Sequence, residues 1–238
     1  RRCRDGGPLP TASAGVNMRH LRVWLLVALT FVTGMLDAVG YLGLDRVFTG
    51  NMTGNIVILG MGLAGEDSLP VVGPLVALGG YACGAAVVGR WLVRHQKVWT
   101  STTSAVFAVN VVVLTVVAIL LLTRHVDGGS ALGVVIAGSI ATVMGGQAAV
   151  ARALAVADMT TVVVTSTLTA YAGETLFTPG FGWLRHRRFW AIFAIFAGAL
   201  FGALMMRAHV SVPVFLAAGI SAVVAMTGHF AWERAASA

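Results

Sequence analysis

Six runs of predominantly apolar residues dominate the chain: 21–44, 71–93, 105–122, 131–150, 189–206 and 212–232. About 20 apolar residues in a helix cross the hydrocarbon core of a bilayer, and each run has close to that length or more. A backbone in lipid has no water to satisfy its N–H and C=O groups, so runs of this length can only be helices. The charge content agrees: 11% of the 238 residues are charged, where soluble domains carry roughly 25%. The formal net charge of +7 does not point to nucleic acid. The basic residues sit in short clusters between apolar runs, as in the cytoplasmic loops of membrane proteins. These features predict an all-α polytopic membrane protein with the lipid bilayer as its surroundings.

Two segments break the apolar pattern, 47–64 and 159–177. The first overlaps Asp37–Gly62, which carries Asp37, the triplets Thr49-Gly50-Asn51 and Thr53-Gly54-Asn55, and six glycines. Only residues 56–64 of it are purely apolar, about 13 Å of helix, or half a membrane. The second packs Thr160, Thr161, Thr165, Ser166, Thr167 and Thr169 into ten residues. Irregular or polar backbone at membrane depth is tolerated only where protein buries it or where it lines a watery cavity. Glycine permits the unusual dihedrals of a break, and Thr and Asn cap a new helix. A helix starting near Thr53 or Asn55 would aim its positive end at the membrane interior, an arrangement suited to anions. Thr161 to Thr167 could do the same from the other side. The expected architecture is about six transmembrane helices plus two polar broken or re-entrant half-helices.

Counting Lys and Arg chooses between topologies. If both polar segments dip in and return, both termini lie on one side with thirteen basic residues, and only Arg46, Arg124 and Arg207 lie on the other. If both segments cross, the division becomes ten against six. The positive-inside rule prefers six spans with both termini cytoplasmic. Trp24, Trp91, Trp99, Trp183, Trp190 and Trp232 then share the cytoplasmic side. Each half reads span, polar half-segment, span, span. Residues 47–55 align with 159–167, and Asp37 and Gln147 precede their segments by similar distances. With six spans, repeat halves of about 18–123 and 130–234 would be inverted, as is frequent in transporter folds. Residues 1–17, with Pro8 and Pro10, read as a disordered N-terminal extension upstream of a natural start at Met18, before a single membrane domain over 18–238.

The residues G-x-L-D-A-x-x-Y-L-G-x-x-x-V-F and then M-T-G-N read here as Gly34, Leu36, Asp37, Ala38, Tyr41, Leu42, Gly43, Val47, Phe48, then Met52, Thr53, Gly54, Asn55. This pattern resembles the YoaK-like family of bacterial integral membrane proteins. So does a G-x-Q element, Gly145-Gly146-Gln147, followed by Thr161 and Thr165-Ser166-Thr167, with Ser166-Thr167 standing where the family pattern has Gly-Asn. The resemblance runs from Met18 to about Trp232. It implies a multi-span protein of the inner membrane and names no substrate.

The expected function is a small-solute or ion transporter or channel of the bacterial cytoplasmic membrane. Its polar midplane site would be formed by Asp37, Thr49, Asn51, Thr53, Gly54, Asn55, Gln147, Thr161, Thr165 and Thr167. Asp37 is the sharpest of these, because an intramembrane carboxylate is costly and usually faces a partner or a pathway. Arg46 is its candidate counter-charge. The alternative is a non-transporting scaffold or regulatory protein whose polar segments only fix helix packing, which membrane helices also do. No enzyme is expected, since Asp37 has no second deep carboxylate. No cofactor or metal is expected either: Cys3, Cys83 and six scattered histidines show no ligand spacing. Glycine-rich spans can pack between protomers as readily as within one, which leaves room for a homo-oligomer.

Overall fold

The computed structural model describes residues 12–66, 68–92, 99–154, 165, 168–169, 172–173 and 187–236. Among these the fold is helical throughout. The elements are α1 (Ala12–Val39), which runs on into a π-helical segment Gly40–Asp45, then α2 (Met52–Leu63), α3 (Val72–Leu92), α4 (Ser101–Thr123), α5 (Ala131–Ala153), α6 (Arg187–Met206) and α7 (Ser211–Ala236). Six are long and apolar enough to cross a membrane: His20–Asp45, Val72–Leu92, Ser101–Thr123, Ala131–Ala153, Phe189–Met206 and Ser211–Trp232. The polytopic all-α expectation holds, nearly at the predicted boundaries. Helix α2 has 12 residues, about 18 Å, too short for a hydrocarbon core about 30 Å thick. Helix α1 starts at Ala12 and so reaches into the stretch expected to be disordered.

Successive long helices alternate in direction, and side-chain contacts identify the two ends. At one end Trp24 meets Trp190 with ring centroids 5.9 Å apart, Trp99 meets Trp232 at 5.6 Å, and the Arg22 guanidinium lies 5.0 Å over the Trp232 ring. This is the basic end, where α3 and α5 finish with Arg90 and Arg152. At the opposite end Gly43 packs on Met206 and Val210, and Leu44 and Asp45 pack on Gly128. Trp183 lies outside the described residues.

The helices pack in pairs: α1 on α6, α3 on α5 and α4 on α7, with α1 also touching α7 and α4 touching α5. The first two crossings are close because glycine permits it. A Cβ on Gly34 would fall on the carbonyl oxygen of Ile195, and one on Gly198 would fall on that of Phe31. Likewise a Cβ on Gly145 would fall on the Tyr81 carbonyl, and one on Gly84 on that of Thr142. The Gly-x-x-x-Gly pairs at 80–84 and 198–202 therefore act as small-residue contact surfaces. Met35, Leu36, Leu114, Ile140 and Val214 form a core toward the opposite end, and Leu26, Leu29, Phe107 and Trp99 form one toward the basic end. Val109, Val112 and Val116 of α4 and Phe193, Phe196 and Leu200 of α6 remain exposed. Such contiguous apolar faces suit hydrocarbon rather than water.

Candidate functional site

The site begins where α1 loses its regular turn. The π-helical segment ends with Leu44 off the helical region (φ −112°, ψ −106°) and Arg46 left-handed (φ 51°). The chain then reverses. The Val47 N–H donates to the Gly40 carbonyl at 3.3 Å, and a Cβ at Gly40 would fall on the Val47 carbonyl oxygen, so only glycine lets the returning chain lie so close. The reversal carries residues 47–51 back along α1 and sets them beside Asp37, eight residues before Asp45, or about 12 Å down the helix.

There the carboxylate acts as a clasp. Asp37 Oδ1 accepts the N–H of Thr49 at 2.8 Å, the N–H of Gly50 at 2.6 Å and the Thr49 hydroxyl at 3.4 Å. A second clasp follows. The Asn55 side chain accepts the Phe48 N–H at 2.8 Å and donates to the Phe48 carbonyl at 2.6 Å, as a neighbouring strand would. Thr49 and Asn55 are fully buried. These bonds satisfy backbone groups that neither helix nor water reaches, as buried backbone requires. Asn51 caps α2, its side-chain oxygen accepting the Gly54 N–H at 3.3 Å, so α2 starts at depth and rises to Gly62, against the backbone of Leu69 and Pro70. Arg46 Nη1 donates to the Ser68 carbonyl at 3.3 Å. The polar segment thus leaves and rejoins the bundle at the same end.

Between α1, the start of α2 and α6 lies a cavity of about 450 Å³. Asp37, Tyr41, Phe48, Asn51, Thr53, Gly54 and Thr165 line it, with Ile195 of α6 opposite. Tyr41 is stacked on Phe48 with centroids 5.0 Å apart. Among the described residues no three His, Cys, Asp or Glu side chains stand close enough together to hold a metal ion.

The expected site residues therefore divide. Asn51, Thr53, Gly54 and Thr165 line the cavity with the edge of Asp37, while Thr49 and Asn55 are behind its wall. Gln147 lies elsewhere, fully buried between α1, α4 and α5. It accepts from Asn110 Nδ2 at 3.2 Å and donates toward the Leu29 carbonyl at 3.4 Å and the Thr33 hydroxyl at 3.5 Å. Thr161 and Thr167 are outside the described residues. Arg46 is not the counter-charge of Asp37: it is turned to Ser68, and backbone N–H groups meet the carboxylate instead. The cavity also uses Gly50 of the first triplet, Tyr41 and Phe48 of the family motif, and Ile195, none of which was among the expected site residues. Tyr41 stands four residues after Asp37, the spacing that shares a helix face; Ile195 carries no local signal.

Fold and site together define a polytopic membrane protein with a short helix that starts beside a cavity of mixed polar and apolar lining. Residues 25–227 match the family described as "Protein of unknown function (DUF1275)", and the chain belongs to that family. It is 33% identical over 145 residues to the UPF0700 transmembrane protein YoaK of Bacillus subtilis (strain 168), covering 60% of this chain and 63% of that relative, less than two thirds of its length. No solved structure matches.

Proposed function

We propose that the protein is a small-solute or ion transporter or channel of the bacterial cytoplasmic membrane, not an enzyme, with both termini cytoplasmic and the cavity beside α2 as its binding site. The observation that carries this is the cavity itself. A volume of about 450 Å³ edged by Asn51, Thr53 and Thr165 sits at the start of a helix too short to span, with the Asp37 carboxylate at its inner edge. A broken helix whose end meets a polar cavity at mid-depth is how secondary transporters build a midplane site. A scaffold needs the two clasps for packing, but it has no use for polar groups left facing a void.

An inverted repeat is part of the reading, and the glycine crossings support it. Gly34 faces the Ile195 carbonyl as Gly145 faces that of Tyr81. Gly198 faces Phe31 and Met35 as Gly84 faces Thr142 and Gly146. The shift is 111 residues in each case along α1 and α5 (Phe31 to Thr142, Gly34 to Gly145, Met35 to Gly146), and 114 along α3 and α6 (Tyr81 to Ile195, Gly84 to Gly198). On this register Asp37 corresponds to Ala148, one residue beyond Gln147, so the two polar residues play unlike roles in their halves.

Solvent access tests the reading. With Cys3 and Cys83 changed to serine, single cysteines at Thr53 and Thr165 are expected to react with a small membrane-impermeant methanethiosulfonate. A cysteine at the lipid-facing Val109 is expected to stay unmodified. If Thr53 and Thr165 are as inert as Val109, no water reaches the cavity, and the scaffold function takes its place.

A further inference from the structure

A second cavity, of about 440 Å³, lies at the end away from the tryptophans. Asp45, Arg46, Ser68 and Gly128 border it, drawn from three separate turns. It carries both signs of charge on exposed or half-exposed side chains, as a water-filled mouth would. Its wall and that of the deeper cavity have one residue in common, Tyr41. We propose that this second cavity is the mouth through which small hydrophilic solutes reach the deeper chamber, and that Tyr41 is the movable barrier between the two. The proposal rests on the transport reading above.

The local structure gives the two stacked aromatic rings unequal freedom. The Phe48 backbone is held at both its N–H and its carbonyl by Asn55, and its ring lies directly on Gly54. Tyr41 is on the π-helical segment, directly after Gly40 and two residues before Gly43, and stays 41% exposed. A π-turn puts an extra residue into the helical turn, and such turns recur at functional sites. The left-handed Arg46 just beyond it adds a strained, non-glycine position, a feature that gathers at clamps and switch regions. The Tyr41 ring therefore rests against a held partner, on a backbone that leaves the helical path just after it, at Leu44 and Arg46. Swinging it away from Phe48 joins the two cavities without breaking either clasp.

The test is the rate at which a cysteine at Thr53 is modified by 2-(trimethylammonium)ethyl methanethiosulfonate in sealed vesicles of either orientation, with Cys3 and Cys83 changed to serine. A cysteine at Ser68, on the rim of the mouth, reports reagent arrival. The reagent should reach Thr53 from the Ser68 side. Tyr41→Ala should speed that reaction about tenfold, a barrier lowered by about 1.4 kcal/mol. Tyr41→Phe, which keeps the ring, should leave the rate unchanged, and Tyr41→Trp should slow it. The Trp variant keeps the test decisive if the Ala variant does not fold. The Ser68 rate should be the same in every background. If Thr53 reacts at one rate in all of them, or faster from the basic end, Tyr41 is not the barrier although the chamber is wet and the transport reading stands. If Thr53 is inert in every background, both proposals fall.

Discussion

Asp37 shows why an intramembrane carboxylate is read one way from its position and another from its bonds. Its Oδ1 already accepts two short backbone hydrogen bonds and a hydroxyl, so the side chain's first task is to hold the reversed chain. Asp37→Leu would strand the N–H groups of Thr49 and Gly50. At about 1–3 kcal/mol for each buried group left unpaired, the variant should unfold at clearly lower temperature in detergent. Asp37→Asn keeps an acceptor oxygen in place and should lose less than Asp37→Leu, but still some stability, since charge-assisted hydrogen bonds are roughly twice as strong as neutral ones. Thr53→Ala removes a hydroxyl that faces the cavity and should leave the midpoint unchanged. Thermal melts of the three variants check this, and equal losses for Asp37→Leu and Thr53→Ala would refute the clasp. The importance of this stretch was legible because Asp, Thr and Asn are so rarely spent in a lipid-adapted run. Which of them would turn inward was not legible, since Asp37 meets Gly50 only through the π-turn and the left-handed Arg46. The same limit applies to Gln147, whose partners Asn110 and Leu29 are distant in sequence.

At the level of elements, the six spans could be read directly because an apolar run of sufficient length has one stable conformation in lipid. Their pairing could not. Gly80, Gly84, Gly198 and Gly202 announce close contact without naming a partner, and the fold supplies α5 for one pair and α1 for the other. Position decides which glycines matter. Gly84 and Gly198 lie against backbone that cannot yield, whereas Gly60, Gly79 and Gly219 have open space where a Cβ would go. Substituting leucine at Gly84 or Gly198 should force the helices apart and abolish a monodisperse, folded protein. Alanine at Gly60, Gly79 or Gly219 should be tolerated, and should gain slightly in stability from the lower helix propensity of glycine, up to about 1 kcal/mol per site. Elution profile and melting temperature of the purified variants distinguish the two groups. A folded Gly84→Leu variant would mean that the α3–α5 crossing is looser than drawn.

For the whole molecule, the decisive property is that the polar segment returns to the end it left. Arg46 bonds Ser68, the Leu44–Asp45 corner packs on Gly128, and Gly43 packs on Met206 and Val210, so four chain reversals share one end. Had α2 crossed, Ser68 would lie at the tryptophan end and every later helix would be inverted. The charge distribution supports the proposed orientation. Arg46, Arg124 and Arg207 are at the shared end, while α3 and α5 finish with Arg90 and Arg152 at the other; in the proposed six-span topology the sequence divides three against thirteen, a bias that would keep the richer side in the cytoplasm. Single cysteines at Ser68, Gly128 and Ala208 should therefore be labelled together from outside intact cells, and a cysteine at Ser101, at the start of α4, only after the membrane is opened. Labelling of Ser68 and Gly128 from opposite faces would make α2 a crossing element and remove the basis for an inverted repeat. Labelling of all three only after permeabilisation would keep the fold and reverse its orientation, turning the mouth beside Tyr41 toward the cytoplasm.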